Sequence, residues 1–204
     1  MCLTAQKTAL IVFAHQTPAS FNATARDVAV QELSDQGYRV LVSDLYAMKF
    51  RAEATRDDIK GELKNPELFQ YGDETMFAWM ENQLSEDITA EQQKVTEAEL
   101  IIFQFPLYWF SVPAILKGWF DRVLAQGFAF SLEKMYDNGV FKVFSLPSVI
   151  LKLTMNEQIR SDKSLCVSEL IRLISEGSSS VYKSLQQEVG SEEPGPGEPG
   201  PGDG

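Results

Sequence analysis

One histidine and two cysteines in 204 residues leave little material for metal or disulfide chemistry. A lone His15 rules out a multi-histidine metal centre, and Cys2 and Cys166 lie too far apart in sequence to suggest a zinc motif or a disulfide framework. With no secretory signal in view, this cysteine usage predicts a reducing compartment, the cytosol. Positive charge is also scarce: 18 Lys and Arg against 29 Asp and Glu give a net charge of -11, which argues against nucleic acid as a partner. Much of that excess lies in Glu81 to Glu99 and Glu188 to Asp203. No apolar run approaches the ~20 residues of a membrane span, and Ala9 to Ala14 lacks the flanks of a signal peptide, so the chain is expected to be soluble. The loop after the first apolar run, HQTPASFNAT, has neither a GxGxxG fingerprint nor a Walker sequence, and the chain has no serine elbow, which argues against a Rossmann dinucleotide site, a P-loop and a hydrolase.

What is present is a globular composition, 44% hydrophobic and 11% aromatic. Length predicts one domain, at a prior of about 150 residues each. Thr8 to Phe13 reads as a first strand. Ser20 then caps a helix with apolar Ala25, Val28, Val30 and Leu33, closed by Gly37, and Tyr38 to Ser43 reads as a second strand. Strand, helix, strand implies a parallel pair with a right-handed crossover. Asp44 to Leu84 has few periodic signals and is expected to be a long functional excursion. Asp87 to Glu97 reads as an exposed acidic helix leading into a third strand. The result is the front half of a doubly wound parallel α/β fold.

The most specific stretch is Leu100 to Phe130, LIIFQFPLYWFSVPAILKGWFDRVLAQGFAF. LIIFQF has the composition of a strand buried on both faces, Pro106 ends it, and Pro113 opens a helix with Ile115, Leu116, Trp119, Phe120, Val123 and Leu124 until Gly127. Tyr108, Trp109 and Phe110, between strand and helix, either pack into the core or line a site for a flat ring, since ligands bind at the carboxyl ends of such strands. His15 opens the loop HQTPASFNAT at a helix start, as a capped surface histidine or as a phosphate contact. Asp44-Leu45-Tyr46 reads first as an Asx-type turn with Tyr46 packed below it.

ALIVFAHQTPASFNATARDVAVQELSDQGYRVLVSDLYAMKF, NPELFQYGDET and the Leu100 to Phe130 stretch resemble the NAD(P)H:quinone oxidoreductase family of flavodoxin-like flavoproteins, from about Thr8 to about Phe141. FPLYWFSVPAILKGW and QGFAF carry most of the resemblance, which leans toward the ribosyldihydronicotinamide:quinone branch. It implies FAD as cofactor, a homodimer, and ping-pong transfer of a hydride from a reduced nicotinamide to the flavin and on to a quinone. It also implies that His15, Phe21, Asn22, Ala23 and Thr24 contact the FAD phosphates and adjoining groups. By the same resemblance Gln70 reaches the cofactor from across a dimer interface, and Leu107, Tyr108, Trp109 and Phe110 hold the isoalloxazine. Phe130, Ser131 and Leu132 would line the quinone pocket. No side chain is assigned a catalytic role, and no metal is expected.

After MYDNGVF the chain departs from that pattern. A Thr-Thr-Gly-Gly loop, expected to contact the flavin, and the strands around it have no counterpart in VFSLPSVILKLTMNEQIRSDKSLCV. The expected organisation is therefore a flavodoxin-like domain over 1–142, a divergent segment over 143–176 and a disordered Ser/Pro/Gly/acidic tail over 177–204. Val167 to Ile174 carries one short helical pattern. Ending the sheet at its third strand would leave LIIFQF as an exposed apolar edge, unless Val143 to Leu153 supplies a substitute strand beyond Pro147. The resulting expectation is FAD-dependent two-electron reduction of quinones, impaired by loss of part of the flavin site. The alternative is a non-catalytic form acting through dimerisation, including with a full-length relative, or an unstable product.

Overall fold

The computed structural model describes residues 6–130 and 148–154. Four parallel strands form one sheet: β1 (Thr8–Phe13), β2 (Arg39–Asp44), β3 (Leu100–Pro106) and β4 (Ser148–Thr154), in the order β2-β1-β3-β4. Ile11 pairs with Val42 on one side and Ile102 on the other, and Ile102 pairs with Ile150. β1 and β3 are buried at every residue. They lie at the centre of a sheet covered on both faces, so their apolar runs need no alternation.

Helix α1 (Phe21–Asp35) covers one face. The Ser20 Oγ accepts from the Ala23 N–H at 3.1 Å, so one of the helix's unpaired donors is satisfied at its start. Gly37, at φ +85°, turns the chain back toward β2, a left-handed conformation that glycine adopts without Cβ strain. Ala25, Ala29 and Leu33 pack on Ala9, Ile11, Leu100 and Ile102. The opposite face is covered by α3 (Glu86–Glu97) and α4 (Ala114–Val123), whose Val95, Leu116, Trp119 and Val123 pack on Leu10, Val12, Ile101, Phe103 and Phe105. Each fully buried large apolar side chain contributes roughly 1.5 to 3 kcal/mol.

Three expectations change. β3 is not an edge, because β4 pairs with it in parallel over seven residues and begins just past Pro147, where the missing N–H of proline interrupts no rung of the ladder. The excursion after β2 contains a helix, α2 (Tyr71–Met80), and a 3-10 turn at Arg56–Asp58. Its helix was hidden because its apolar residues pack on a satellite cluster of Ile59, Ala78, Leu84 and Ile88 rather than on the sheet. Third, the acidic helix α3 is not simply exposed: Ile88, Glu91, Gln92 and Val95 are buried. Buried Glu91 accepts from the Trp119 indole N–H at 2.8 Å, from Ser43 Oγ at 3.1 Å and from Lys94 Nζ at 2.6 Å, which joins α3 to α4 and β2. The helical pattern at Val167 to Ile174 and the tail over 177–204 lie outside the described residues.

A second buried charge cluster fastens the excursion. The Arg122 guanidinium donates to both oxygens of Asp58, to Asp87 and to the Arg51 carbonyl, while Asp58 also accepts from Arg51 and from the Tyr71 hydroxyl. Burial, then the bond to Asp58, pushes the Tyr71 phenol far above its usual range, so it stays a donor. Thus α2, α3, α4 and the 3-10 turn meet at one point near the C-terminal end of α4.

Candidate functional site

Strand order reverses at β1: the chain leaves it on one side for β2 and returns past it to β3. The carboxyl ends of β1 and β3 therefore flank a crevice at a topological switch point. Two loops border it, 14–20 after β1 and 107–113 after β3. They are held together at the base, where the Ala14 N–H donates to the Gln104 carbonyl at 3.0 Å, and at the rim, where the Tyr108 hydroxyl donates to Gln16 Oε1 at 3.0 Å.

The first loop ends at the N-terminus of α1, where backbone N–H groups and the helix dipole favour an anion. The half-buried His15 accepts at Nδ1 from the Thr17 N–H at 3.0 Å, which assigns the neutral ring's proton to Nε2 and makes that nitrogen a donor. Asn22, on the first turn, is buried, and its Oδ1 accepts from Gln104 Nε2 at 2.7 Å. Ala23 is buried beside it, Thr24 is exposed with its hydroxyl on the Ser20 carbonyl, and Phe21 is half-buried.

The second loop is unusual. Tyr108 and Ser111 exchange both backbone bonds, N–H to O at 2.9 and 3.0 Å, so Trp109 and Phe110 are the central pair of a two-residue turn. Both have positive φ, 45° and 58°, the mark of a type I′ turn that ordinarily calls for Asn-Gly. Bulky side chains in this region are strained by about 1 to 3 kcal/mol each. The turn presents them to solvent, with Trp109 92% and Phe110 88% exposed and their rings in edge contact at 6.1 Å. The core reading of these rings is thereby excluded, and strain at an exposed aromatic pair points to a binding surface. Leu107, half-buried, sits at the root of the turn.

The Asx-type turn after β2 is present. Asp44 Oδ1 accepts from the Ala47 N–H at 3.0 Å, and Arg26 holds its other oxygen at 3.2 Å. Burial, and then the neighbouring Tyr108, raise the phenol of half-buried Tyr46, so Tyr46 lies at the rim beside the aromatic turn.

The fold thus brings His15, the start of α1 and the aromatic turn to one crevice. No described contact joins Gln70 or Phe130 to it. Gln70 precedes Tyr71, which is tied to Asp58 and so to Arg122 near the far end of α4. Phe130 lies in the turn after α4, its carbonyl accepting from the Gly127 N–H. Ser131 and Leu132 lie outside the described residues. Among the described residues no group of three or more His, Cys, Asp or Glu side chains is arranged to hold a metal, and no helix is long and apolar enough to cross a membrane. Two residues escaped the reading of the sequence, Gln16 and Gln104. Gln104 had a signal, being the one polar side chain in an otherwise apolar strand.

The crevice offers amide and imidazole donors at one end and flat apolar rings at the other. Residues 7–156 match the family described as having a flavodoxin-like fold. The chain is 62% identical over 138 residues to a ribosyldihydronicotinamide dehydrogenase [quinone] from Pongo abelii, covering 68% of this chain and 60% of that protein. It is 54% identical over 140 residues to an NAD(P)H dehydrogenase [quinone] 1 from Cavia porcellus, covering 69% and 51%. The crystal structure of a proposed quinone reductase from Klebsiella pneumoniae superposes with a TM-score of 0.70 at 26% identity, covering 83% of this chain and 85% of that one. The chain spans about 60% of the length of the first of these relatives.

Proposed function

Since this chain belongs to the flavodoxin-like fold family, we propose that it is a flavoprotein that reduces quinones with a reduced nicotinamide donor. The observation that carries this reading is the pairing of an anion-attracting helix start with an exposed, strained aromatic turn across one crevice. The two ends suit the two chemically distinct parts of a flavin nucleotide, phosphate and planar ring. FAD is the flavin proposed, in keeping with the resemblance to quinone oxidoreductases. When bound, it would accept a hydride from the nicotinamide and pass two electrons to the quinone.

In this reading the protein's own residues bind and orient. His15 Nε2 and the first turn from Phe21 to Thr24 receive the phosphates, while Leu107, Tyr108, Trp109 and Phe110 hold the ring system. Flat apolar walls let donor and acceptor use one face in turn. Gln70, Phe130, Ser131 and Leu132 are assigned to the partner's site in a homodimer, in keeping with the resemblance and with the absence of any described contact between Gln70 or Phe130 and the crevice of their own chain. The function is assigned to the domain of residues 1–142 together with β4, which completes the same sheet, and the compartment proposed is the cytosol. Activity is reduced, because the Thr-Thr-Gly-Gly loop expected on the flavin has no counterpart in the sequence from Val143 onward.

The full chain purified with added FAD tests this. A flavin spectrum that persists only with excess cofactor is expected, with slow oxidation of dihydronicotinamide riboside by a quinone per flavin bound. No spectral change at any FAD concentration would overturn the flavin assignment, and turnover equal to that of an intact relative would overturn the impairment. A second reading, a non-catalytic partner in mixed dimers, is favoured by the nearly full exposure of Trp109 and Phe110 in the single chain. Coexpression with an intact relative separates the two. A partner lowers activity per flavin in the copurified dimer, and a chain that does not copurify is no partner.

A further inference from the structure

We propose that Gln104 is a positioning residue: its buried side chain fixes the Asn22 carboxamide so that the NH2 group is free to donate to a phosphate oxygen of the flavin nucleotide. The inference rests on the flavin reading above and names a residue outside the helix start itself.

Gln104 is 2% exposed, in a strand whose other residues are Leu, Ile, Phe and Pro. Side chains alternate along β3, and Leu100 and Ile102 on the same face pack beneath α1. Gln104 takes the next place on that face, under the first turn of the helix. An apolar residue would fill it at less cost, since a buried amide must be hydrogen-bonded or forfeit roughly 1 to 3 kcal/mol. Its Nε2 donates to Asn22 Oδ1 at 2.7 Å. Asn22 is itself 6% exposed. With its oxygen held by Gln104, the Asn22 Nδ2 is turned away from the strand, and it has no partner among the described residues. A buried amide NH2 without a partner, on the first turn of a fifteen-residue helix, is a donor kept for a ligand. The positive end of the helix dipole selects an anion for it.

Gln104 also supplies the carbonyl that receives the Ala14 N–H, and the aromatic turn begins four residues further on at Tyr108. One residue therefore sets the orientation of a phosphate donor while belonging to the strand that carries the ring-binding turn.

The test compares flavins with and without phosphate on the full chain, by fluorescence titration with riboflavin, FMN and FAD. Gln104→Met keeps the length and fills the apolar slot but leaves the Asn22 oxygen without its donor. FMN and FAD should bind roughly tenfold more weakly, the value of one misaligned charge-assisted bond, while riboflavin stays within about twofold. In an Asn22→Ala background the same substitution should add nothing, because Gln104 acts through Asn22. Asn22→Asp retains the acceptor for Gln104, and with it the packing, but turns a carboxylate oxygen toward the phosphate. It should weaken FMN and FAD by more than Gln104→Met does, again sparing riboflavin. Equal losses for all three flavins, additive effects in the double variant, or no loss would overturn the proposal. Wild-type chain that binds none of the three would overturn the flavin reading and this inference with it. Wild-type binding unchanged by Gln104→Met would overturn the inference alone.

Discussion

Arg122 and Asp58 form an ion pair in which neither side chain has any exposed surface, with Nη2 to Oδ1 at 2.9 Å and Nε within 3.2 Å of both carboxylate oxygens. Burial alone would depress the guanidinium, and the bonds from Asp58 and Asp87 more than offset it, so Arg122 stays charged. The cluster is closed: every described nitrogen of Arg122 has an acceptor, and Asp58 also serves Arg51, Tyr71 and the Thr55 N–H.

Removing one member therefore strands the other. Asp58→Asn should destabilise the chain by about 3 to 5 kcal/mol, read as a fall in the urea midpoint with the slope unchanged. Replacing both partners together, Asp58→Leu with Arg122→Met, should cost clearly less than the sum of the two single changes. An additive double variant would show that the pair is not coupled.

The same cluster gives a pH dependence. Burial would raise the Asp87 carboxyl, but hydrogen bonds from Ser85 and Arg122, with the Arg122 charge, hold it below its ordinary value of 3.8. A carboxylate depressed in the folded state contributes stability that is fully present above 3.8 and lost as pH falls through the lower folded value. The stability gap between wild type and Asp87→Asn should therefore be constant near neutrality and shrink below about pH 4. A gap that widens in acid would refute the assignment.

Gly118 is where α4 meets the excursion. A β-carbon there would lie 2.2 Å from the Ala52 carbonyl oxygen and 2.4 Å from its α-carbon, backbone atoms that no rotamer change can move aside. Gly118→Ala should cost about 1 to 3 kcal/mol despite the higher helix propensity of alanine. Thermal unfolding measures it, and an unchanged or raised melting temperature would mean that the two segments are not in close contact.

Strain in the aromatic turn predicts an opposite sign. Glycine adopts the left-handed conformation of Trp109 freely, and the ring it removes is 92% exposed. Trp109→Gly should leave stability unchanged or raise it by up to about 1 kcal/mol, while flavin retention falls. Loss of both together would mark Trp109 as a core residue instead.

Much of the fold was legible because single elements satisfied local rules. Thr8 to Phe13 read as a strand and Leu100 to Phe105 as a buried one, and Ser20 and Gly37 bracket α1 as their capping chemistry requires. Helix α2 was not legible, since its buried side is defined by Ile59, Leu84 and Ile88, which come from elsewhere in the chain. β4 was legible only as a candidate, because pairing with β3 is a long-range choice that depends on which strand is left unpaired.

The sequence alone determined the fold class, the family resemblance and the aromatic and helix-start segments. These depend on periodicity and on residue types a few positions apart. Only the tertiary structure decided that Trp109 and Phe110 are exposed on a strained turn and that Gln104 and Asn22 share a buried bond. Those relations join residues as far as 82 positions apart in the chain, and no local pattern encodes which distant partner will satisfy a buried polar group.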